Sequence, residues 1–419
     1  MTPSASRLTG SLRDIGYDLN TTLADLVDNS LSAGAAQVDV EIVFDGTASY
    51  LLVADDGAGM SESRLTEALR FGTRRGYAAG ELGRYGLGLK TASIAQGRRL
   101  TVVSRQAPVR PRLAARTLDL DVVERDDRWE VFDPGPSHAV ELAHQWLVDR
   151  PGTVVVIEGL DRVLPDRNPA GGWARRRLAT LAERAVAHLG MVFHRYIEGE
   201  FGLPLTITVN GEKSPAWNPF APDEDREALP VRQFEVEHGG LVEQVKYSPF
   251  VLPPRRSFSS PEAFERMAGP DKWNRQQGLY IYRAGRMIQS GGWSGMRAAD
   301  EHTKLARAAV DFSTELDEAF KINVAKMRVS LPAQLRALLT HAVQELCNKA
   351  NAAYRRDSAV NGEAPSARAS EKGAGAETLP LISARLLSAA TAAGEFDALS
   401  RIMATLRQQD PALAESLGW

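Results

Sequence analysis

The chain has 419 residues, 43% hydrophobic and 25% charged, a composition that fits a globular protein long enough for two or three domains with real cores. A formal net charge of -3 excludes any global electrostatic drive toward nucleic acid or anionic membrane, so such contacts would need local patches. Cys347 is the only cysteine, which excludes an intrachain disulfide and a cysteine-based zinc site.

The N-terminal Met-Thr-Pro-Ser-Ala-Ser has no apolar targeting core, and no run is apolar and long enough to span a bilayer, so the chain reads as cytoplasmic. The first strong element is an amphipathic helix over residues 20–34. Asn20, Thr21 and Thr22 are its N-cap candidates, and Gly34 is the stop. Leu23, Leu26, Val27, Ser30 and Leu31 share one face, spaced for packing on a sheet; Thr22, Asp25, Asn29 and Ser32 share the other. Asp25 and Asn29 are four apart, so a carboxylate and a carboxamide project side by side.

Residues 37–44 alternate Val38, Val40 and Ile42 with Asp39 and Glu41, the period of a half-buried strand. Asp45-Gly46 signals a hairpin, and residues 50–54 are its returning strand. That strand runs into Asp55-Asp-Gly-Ala-Gly-Met60, a strand-end carboxylate followed by two glycines that admit close backbone approach. After a short helix over 61–69, residues 70–90 combine many glycines with basic residues, the marks of a flexible or phosphate-cradling loop. Gly83, Gly86 and Gly88 precede a helix over 89–95. The pattern is neither a Walker A loop nor a dinucleotide-binding turn.

Taken together, Asp25-Leu-Val-Asp-Asn29-Ser-Leu-Ser-Ala33-Gly, Asp55-Asp-Gly57-Ala-Gly59 and Gly83-Arg-Tyr-Gly86-Leu-Gly88-Leu-Lys90 resemble, in order and spacing, the three boxes of the GHKL (Bergerat-fold) ATPase superfamily. The likeness is greatest to its MORC and MutL branch, covers roughly residues 1–330, and is most convincing over 10–160. Further along, 100–104 reads as a strand, 113–120 and 129–132 as strand-like pieces, and 151–158 as a buried strand opened by Gly-Thr. Residues 174–197 form a long helix with a domain boundary near its end. Strand signals follow at 205–211, 233–238, 241–247, 278–283 and 308–312, then a helix from Ser330 to about Tyr354. Residues 355–378 read as a flexible linker and 379–419 return to helical patterning.

The resemblance implies an α+β fold: a GHKL ATPase sandwich with a mixed sheet over 1–195, a transducer-like (ribosomal S5-type) domain over 196–354, and a short helical element at the C-terminal side. It implies ATP and Mg²⁺ as ligands. Asp55 would accept from the adenine amine, with Gly57 and Gly59 letting base and ribose lie close, Thr153 beside Asp55, and Ala33 and Met60 among the nucleotide contacts. The phosphates would meet Gly83, Arg84, Tyr85, Gly86, Leu87, Gly88, Leu89 and Lys90. Asn29 would supply a neutral oxygen to Mg²⁺, and Asp25 would prepare the attacking water. The stretch 321–329 resembles the MutL-type segment whose lysine, here Lys326, reaches the γ-phosphate. Two departures stand out. The base position usually holds glutamate, and aspartate is one methylene shorter; Ser32 stands where the family's box commonly has aspartate. Nucleotide binding is thus the firmer expectation and hydrolysis the slower one.

The function so implied is an ATP-driven switch that dimerises on ATP and acts on DNA in repair, chromosome organisation or defence against foreign DNA. The alternative is a nucleotide-gated protein-interaction scaffold with weak or no ATPase activity and no direct DNA contact. A histidine kinase fits poorly, with no room ahead of Asp25 for a phosphoacceptor helix pair. A MutL-type nuclease lacks its metal-ligand cluster. The local basic groups are Arg105 with Arg110, Arg112 and Arg116, then Arg175–Arg177 and Arg255-Arg256.

Overall fold

The computed structural model describes residues 4–70, 88–107, 112–165, 168–270, 272–322, 329–360 and 396–410. Met1–Asn351 form one compact unit and Ala352–Trp419 a second. The first unit is an α+β fold built on two mixed sheets, as the sequence implied.

The unit opens with α1 (Ala5–Arg13) and α2 (Leu19–Ser32), the predicted amphipathic helix. Its cap is Asp18 rather than Asn20, Thr21 or Thr22: the Asp18 carboxylate accepts from the Thr21 backbone N–H at 2.7 Å. The chain then forms β1 (Gln37–Val43), β2 (Tyr50–Asp55), α3 (Glu62–Leu69), α4 (Gly88–Ile94), β3 (Arg99–Arg105) and β4 (Ala114–Asp119). Next come α5 (Leu120–Asp126), α6 (His138–Trp146), β5 (Gly152–Glu158), α7 (Gly172–Val192), α8 (His194–Ile197), β6 (Thr206–Val209) and β7 (Glu212–Lys213). The first sheet has the order β4-β3-β5-β2-β1-β6-β7, and among the described residues only β1 and β6 pair in parallel there. Beyond residue 195, where the sequence suggests a boundary, β6 and β7 thus still extend this sheet.

Both faces of the sheet are covered, which is why β2 and β5 read as unbroken apolar runs. On one face Leu23, Leu26 and Val27 of α2 and Leu178 and Leu189 of α7 pack with Val40, Leu51, Val53 and Val102. Each fully buried Leu or Val contributes roughly 2 kcal/mol by transfer from water. On the other face Ala139 and Ala143 of α6 and nearby Leu147 meet Leu52, Ala54, Val154 and Val156. Helices α5 and α6 lie in a stretch that carries no motif in sequence. The strand-like piece expected at 129–132 is only an isolated bridge from Phe132 to Thr117.

The second sheet contains β8 (Glu227–Ala228), β9 (Arg232–His238), β10 (Leu241–Val251), β11 (Gly278–Arg283), β12 (Arg286–Gln289) and β13 (Ala306–Phe312). Its order is β12-β11-β13-β10-β8, with β9 paired to β10. Helices α9 (Pro261–Met267) and α10 (Lys272–Gln276) precede β11. Helix α11 (Ala333–Val360) runs past Tyr354 into the segment expected to be linker, and α12 (Phe396–Gln409) lies in the second unit. Among the described residues no helix is long and apolar enough to cross a membrane.

Candidate functional site

Helix α2 and the end of β2 lie side by side, and the candidate residues gather there. Asp55 is the last residue of β2. Its Oδ1 accepts from the backbone N–H groups of Gly57 at 3.0 Å and Thr153 at 3.2 Å, and its Oδ2 accepts from the Ser30 hydroxyl at 3.0 Å. A carboxylate oxygen has two lone-pair positions, so Oδ1 is filled. The second position on Oδ2 takes no hydrogen from the described residues. Burial pushes the Asp55 carboxyl above the usual range, and the donors from Gly57, Ser30 and Thr153 oppose that rise.

Thr153 faces Asp55 in the β2–β5 register and is buried. Its hydroxyl shares a 3.0 Å hydrogen bond with Ser104, which also donates to the Gly152 carbonyl and accepts from the Met60 backbone N–H at 2.8 Å. Ser104 and Ser30 therefore brace the Asp55 pocket. No motif marks Ser104 in the sequence, and the helical spacing reads Ser30 as a small residue of the core face. Asp56 is structural: its Oδ1 accepts from the N–H groups of Ala36 and Gln37 at the entry to β1.

The two glycines have protein neighbours. A Cβ on Gly57 would stand 2.8 Å from the Cβ of Ala33, which caps α2. A Cβ on Gly59, where φ is +65°, would stand 1.9 Å from the Arg105 carbonyl oxygen. These contacts press the 57–60 turn against α2 and β3.

On α2, Asn29 is exposed and Asp25 is buried, 2% exposed. Tyr17 donates its hydroxyl to Asp25 Oδ2 at 3.1 Å, and burial followed by the Asp25 charge drives the phenol far above its usual range. Gly88, at the start of α4, lies close by: a Cβ there would be 3.7 Å from Asp25 Oδ2. Leu89 follows, and Lys90 is fully buried with Nζ donating to the Ala68 carbonyl at 2.8 Å. Burial lowers the Lys90 ammonium to about 8, against a smaller raising effect of Glu67. Gln96, just past α4, ties that end of the helix to α2 and to the turn before it, donating to the Thr22 hydroxyl at 2.8 Å and to the Tyr17 carbonyl at 3.1 Å. Gly83, Arg84, Tyr85, Gly86, Leu87 and Lys326 lie outside the described residues.

Sequence reasoning misses Arg286, and it treats Asp28 only as the alternative to Asp25 as the base. Asp28 is wholly buried, and Arg286 reaches it from β12. Among the described residues no cluster of three His, Cys, Asp or Glu could hold a metal ion. An exposed carboxamide such as Asn29 suits Mg²⁺, an ion that takes most of its oxygens from phosphate and water. Two of the expected basic residues are occupied internally. Arg105 is buried with Nε donating to the Leu147 carbonyl, and Arg116 pairs with Glu62 at 2.6 Å.

The family model for histidine kinase-, DNA gyrase B- and HSP90-like ATPases matches residues 17–153, from the tyrosine on Asp25 to the threonine beside Asp55. Protein MICRORCHIDIA 5 of Arabidopsis thaliana is 41% identical over 90 residues, 20% of this chain and 13% of that protein. ATPase morc-1 of Caenorhabditis elegans is 31% identical over 86 residues, 20% of this chain and 10% of its own length. DNA mismatch repair protein MutL of Klebsiella pneumoniae is 26% identical over 215 residues, 49% of this chain and 30% of MutL. The matched stretches thus span less than a third of each relative. Residues 17–153 match a GHKL ATPase family model, and the relatives that the chain is similar to are MORC proteins and MutL.

Proposed function

We propose that this protein binds Mg·ATP at the α2–β2 site, hydrolyses it slowly, and uses the cycle as a switch that dimerises on ATP and acts on DNA. The observation that carries the reading is the hydrogen-bond arrangement of Asp55. Three protein donors hold the carboxylate at a strand end, and one acceptor position on Oδ2 is left for an exocyclic amine. In this reading Asn29 would help to hold Mg²⁺, an ion whose charge would offset that of the phosphates. Asp25 accepts the proton of the attacking water, and Lys90 and Lys326 supply charge to the phosphates. The second sheet is proposed as the transducer-like part. Similarity to a DNA mismatch repair protein supports a role on DNA, and similarity to ATPase morc-1 supports the ATPase activity.

Asp55→Asn is the direct test. It turns an acceptor toward the base into a donor, and should weaken binding of a non-hydrolysable ATP analogue by about tenfold or more in calorimetry. Unchanged affinity would remove Asp55 from the adenine pocket. Sedimentation with and without the analogue tests the switch, a protein that stays monomeric in both speaking against it. The second reading is a nucleotide-gated scaffold without DNA contact, favoured by the internal occupation of Arg105 and Arg116. DNA binding that weakens steeply with salt would decide against the scaffold.

A further inference from the structure

Asp25 and Asp28 stand three residues apart on α2, and their exposures are 2% and 0%. Two carboxylates shut away from water on one helical turn repel each other unless a cation is buried with them. Among the described residues such a cation comes from the other sheet. Arg286, 3% exposed, opens β12; its Nε lies 3.0 Å from Asp28 Oδ2 and its Nη2 lies 3.6 Å from Asp25 Oδ1. Tyr17 holds the other Asp25 oxygen.

The turn that presents Arg286 is braced on all sides. Ala284 and Gly285 have φ of 48° and 82°, the geometry of a tight two-residue hairpin turn. Before it, Arg283 forms a two-pronged buried pair with Asp317 at 2.6 and 2.7 Å. Tyr196 donates its hydroxyl to the Ala284 carbonyl at 2.7 Å, and Phe201 packs so close to Gly285 that a Cβ there would be 2.3 Å from its ring. The Arg286 guanidinium lies 5.9 Å from the centre of the Phe193 ring. A surface arginine needs no such support.

We propose that Arg286 is a positioning residue for Asp25, and so for ATP hydrolysis; the inference rests on the function proposed above. Anchored on Asp28, the guanidinium holds the two carboxylates of α2 in one arrangement and sets where Asp25 Oδ1 stands. Because Arg286 belongs to the second sheet, any shift of the β11–β12 hairpin relative to α2 displaces the base directly. The hairpin thereby couples the second sheet to the water-activating step.

The experiment uses the full chain with Arg286→Gln, Arg286→Lys and the double variant Asp28→Asn/Arg286→Gln. Analogue affinity, kcat, KM and melting temperature are measured for each. Arg286→Gln should lower kcat by roughly tenfold or more while analogue affinity stays within about twofold. Arg286→Lys should recover part of the rate. The double variant removes one of the two buried carboxylates that Arg286 faces, so it should regain part of the melting temperature lost in Arg286→Gln yet keep the low kcat. A double variant with wild-type kcat would reduce Arg286 to a structural partner of Asp28 and overturn the inference. So would a loss in Arg286→Gln that merely follows weaker nucleotide binding. Wild-type protein that binds no ATP analogue overturns the functional reading and this inference with it, whereas wild-type turnover alongside an unaffected Arg286→Gln overturns the inference alone.

Discussion

At the residue scale, glycine and lysine in the site carry separate tasks. Gly34 and Gly59 both have positive φ, yet a Cβ added at Gly34 would meet nothing within 4 Å, whereas one added at Gly59 would strike the Arg105 carbonyl. Gly34→Ala should therefore cost only backbone strain, about 1 kcal/mol. Gly59→Ala adds a clash with backbone that cannot rotate away, and should cost roughly 3 kcal/mol or more. Equal melting temperatures for the two variants would show that the 57–60 turn is not packed as described. Lys90 gives a pH-dependent test. Its ammonium is lowered to about 8, so it is charged below that pH and neutral above it in the nucleotide-free protein. Affinity for an ATP analogue should fall as pH rises through about 8, and Lys90→Met should remove that fall. The linked stability change has the opposite sign. Below about pH 8 the folded protein bears the cost of burying a charge. Between there and the ordinary lysine range the unfolded chain keeps a proton the folded one has released, so stability from this residue rises with pH.

At the element scale, α2 decides the site, because one helix carries Asp25, Asp28, Asn29 and Ser30 on differently buried positions. Asp25→Ala should leave the analogue bound and abolish turnover, while Asn29→Ala should weaken Mg·ATP binding itself. Nucleotide affinity and turnover of both variants check this, and normal hydrolysis by Asp25→Ala would displace the base to another residue. Much of α2 is legible in the sequence, since an apolar stripe of Leu23, Leu26 and Val27 must find a sheet. Its cap is not, because Asn20, Thr21 and Thr22 compete with Asp18 in sequence, and only the folded turn selects the residue whose oxygen meets the Thr21 N–H. Its polar face shows the same limit of local logic. Thr22 and Asp25 lie against α4 and Tyr17, partners that no spacing within the helix reveals. Arg286 is illegible for the same reason: it sits in an ordinary hairpin, and its meaning arises only where the two sheets meet. Residues 205–211 make the complementary point. Their hairpin signal is sound, but nothing local says that β6 pairs in parallel with β1.

At the scale of the whole molecule, α8 joins the layer over the first sheet to the second sheet. His194 shares a 2.9 Å hydrogen bond with the Tyr282 hydroxyl of β11. Arg195 pairs with Asp311 of β13, its Nη2 3.3 Å from Oδ2, and its guanidinium lies 3.6 Å from the centre of the Tyr282 ring. Burial works against the Arg195 charge, and the Asp311 carboxylate more than offsets it, holding the guanidinium above its ordinary range. Side-chain exposures of 13% and 25% mean that water screens the pair only in part. Arg195→Ala strips the cover from Tyr282 and leaves Asp311 without its cation, and should destabilise the fold by about 2–4 kcal/mol. Asp311→Ala should cost a comparable amount, and the double variant less than the sum, with a coupling of roughly 1–3 kcal/mol. Urea unfolding of the four proteins supplies the cycle. Because Tyr282 lies on the strand that leads into the Arg286 hairpin, Arg195→Ala should also lower kcat more than it lowers nucleotide affinity. Strictly additive stabilities, together with wild-type turnover in Arg195→Ala, would mean that α8 holds the sheets together by packing alone and transmits nothing between them.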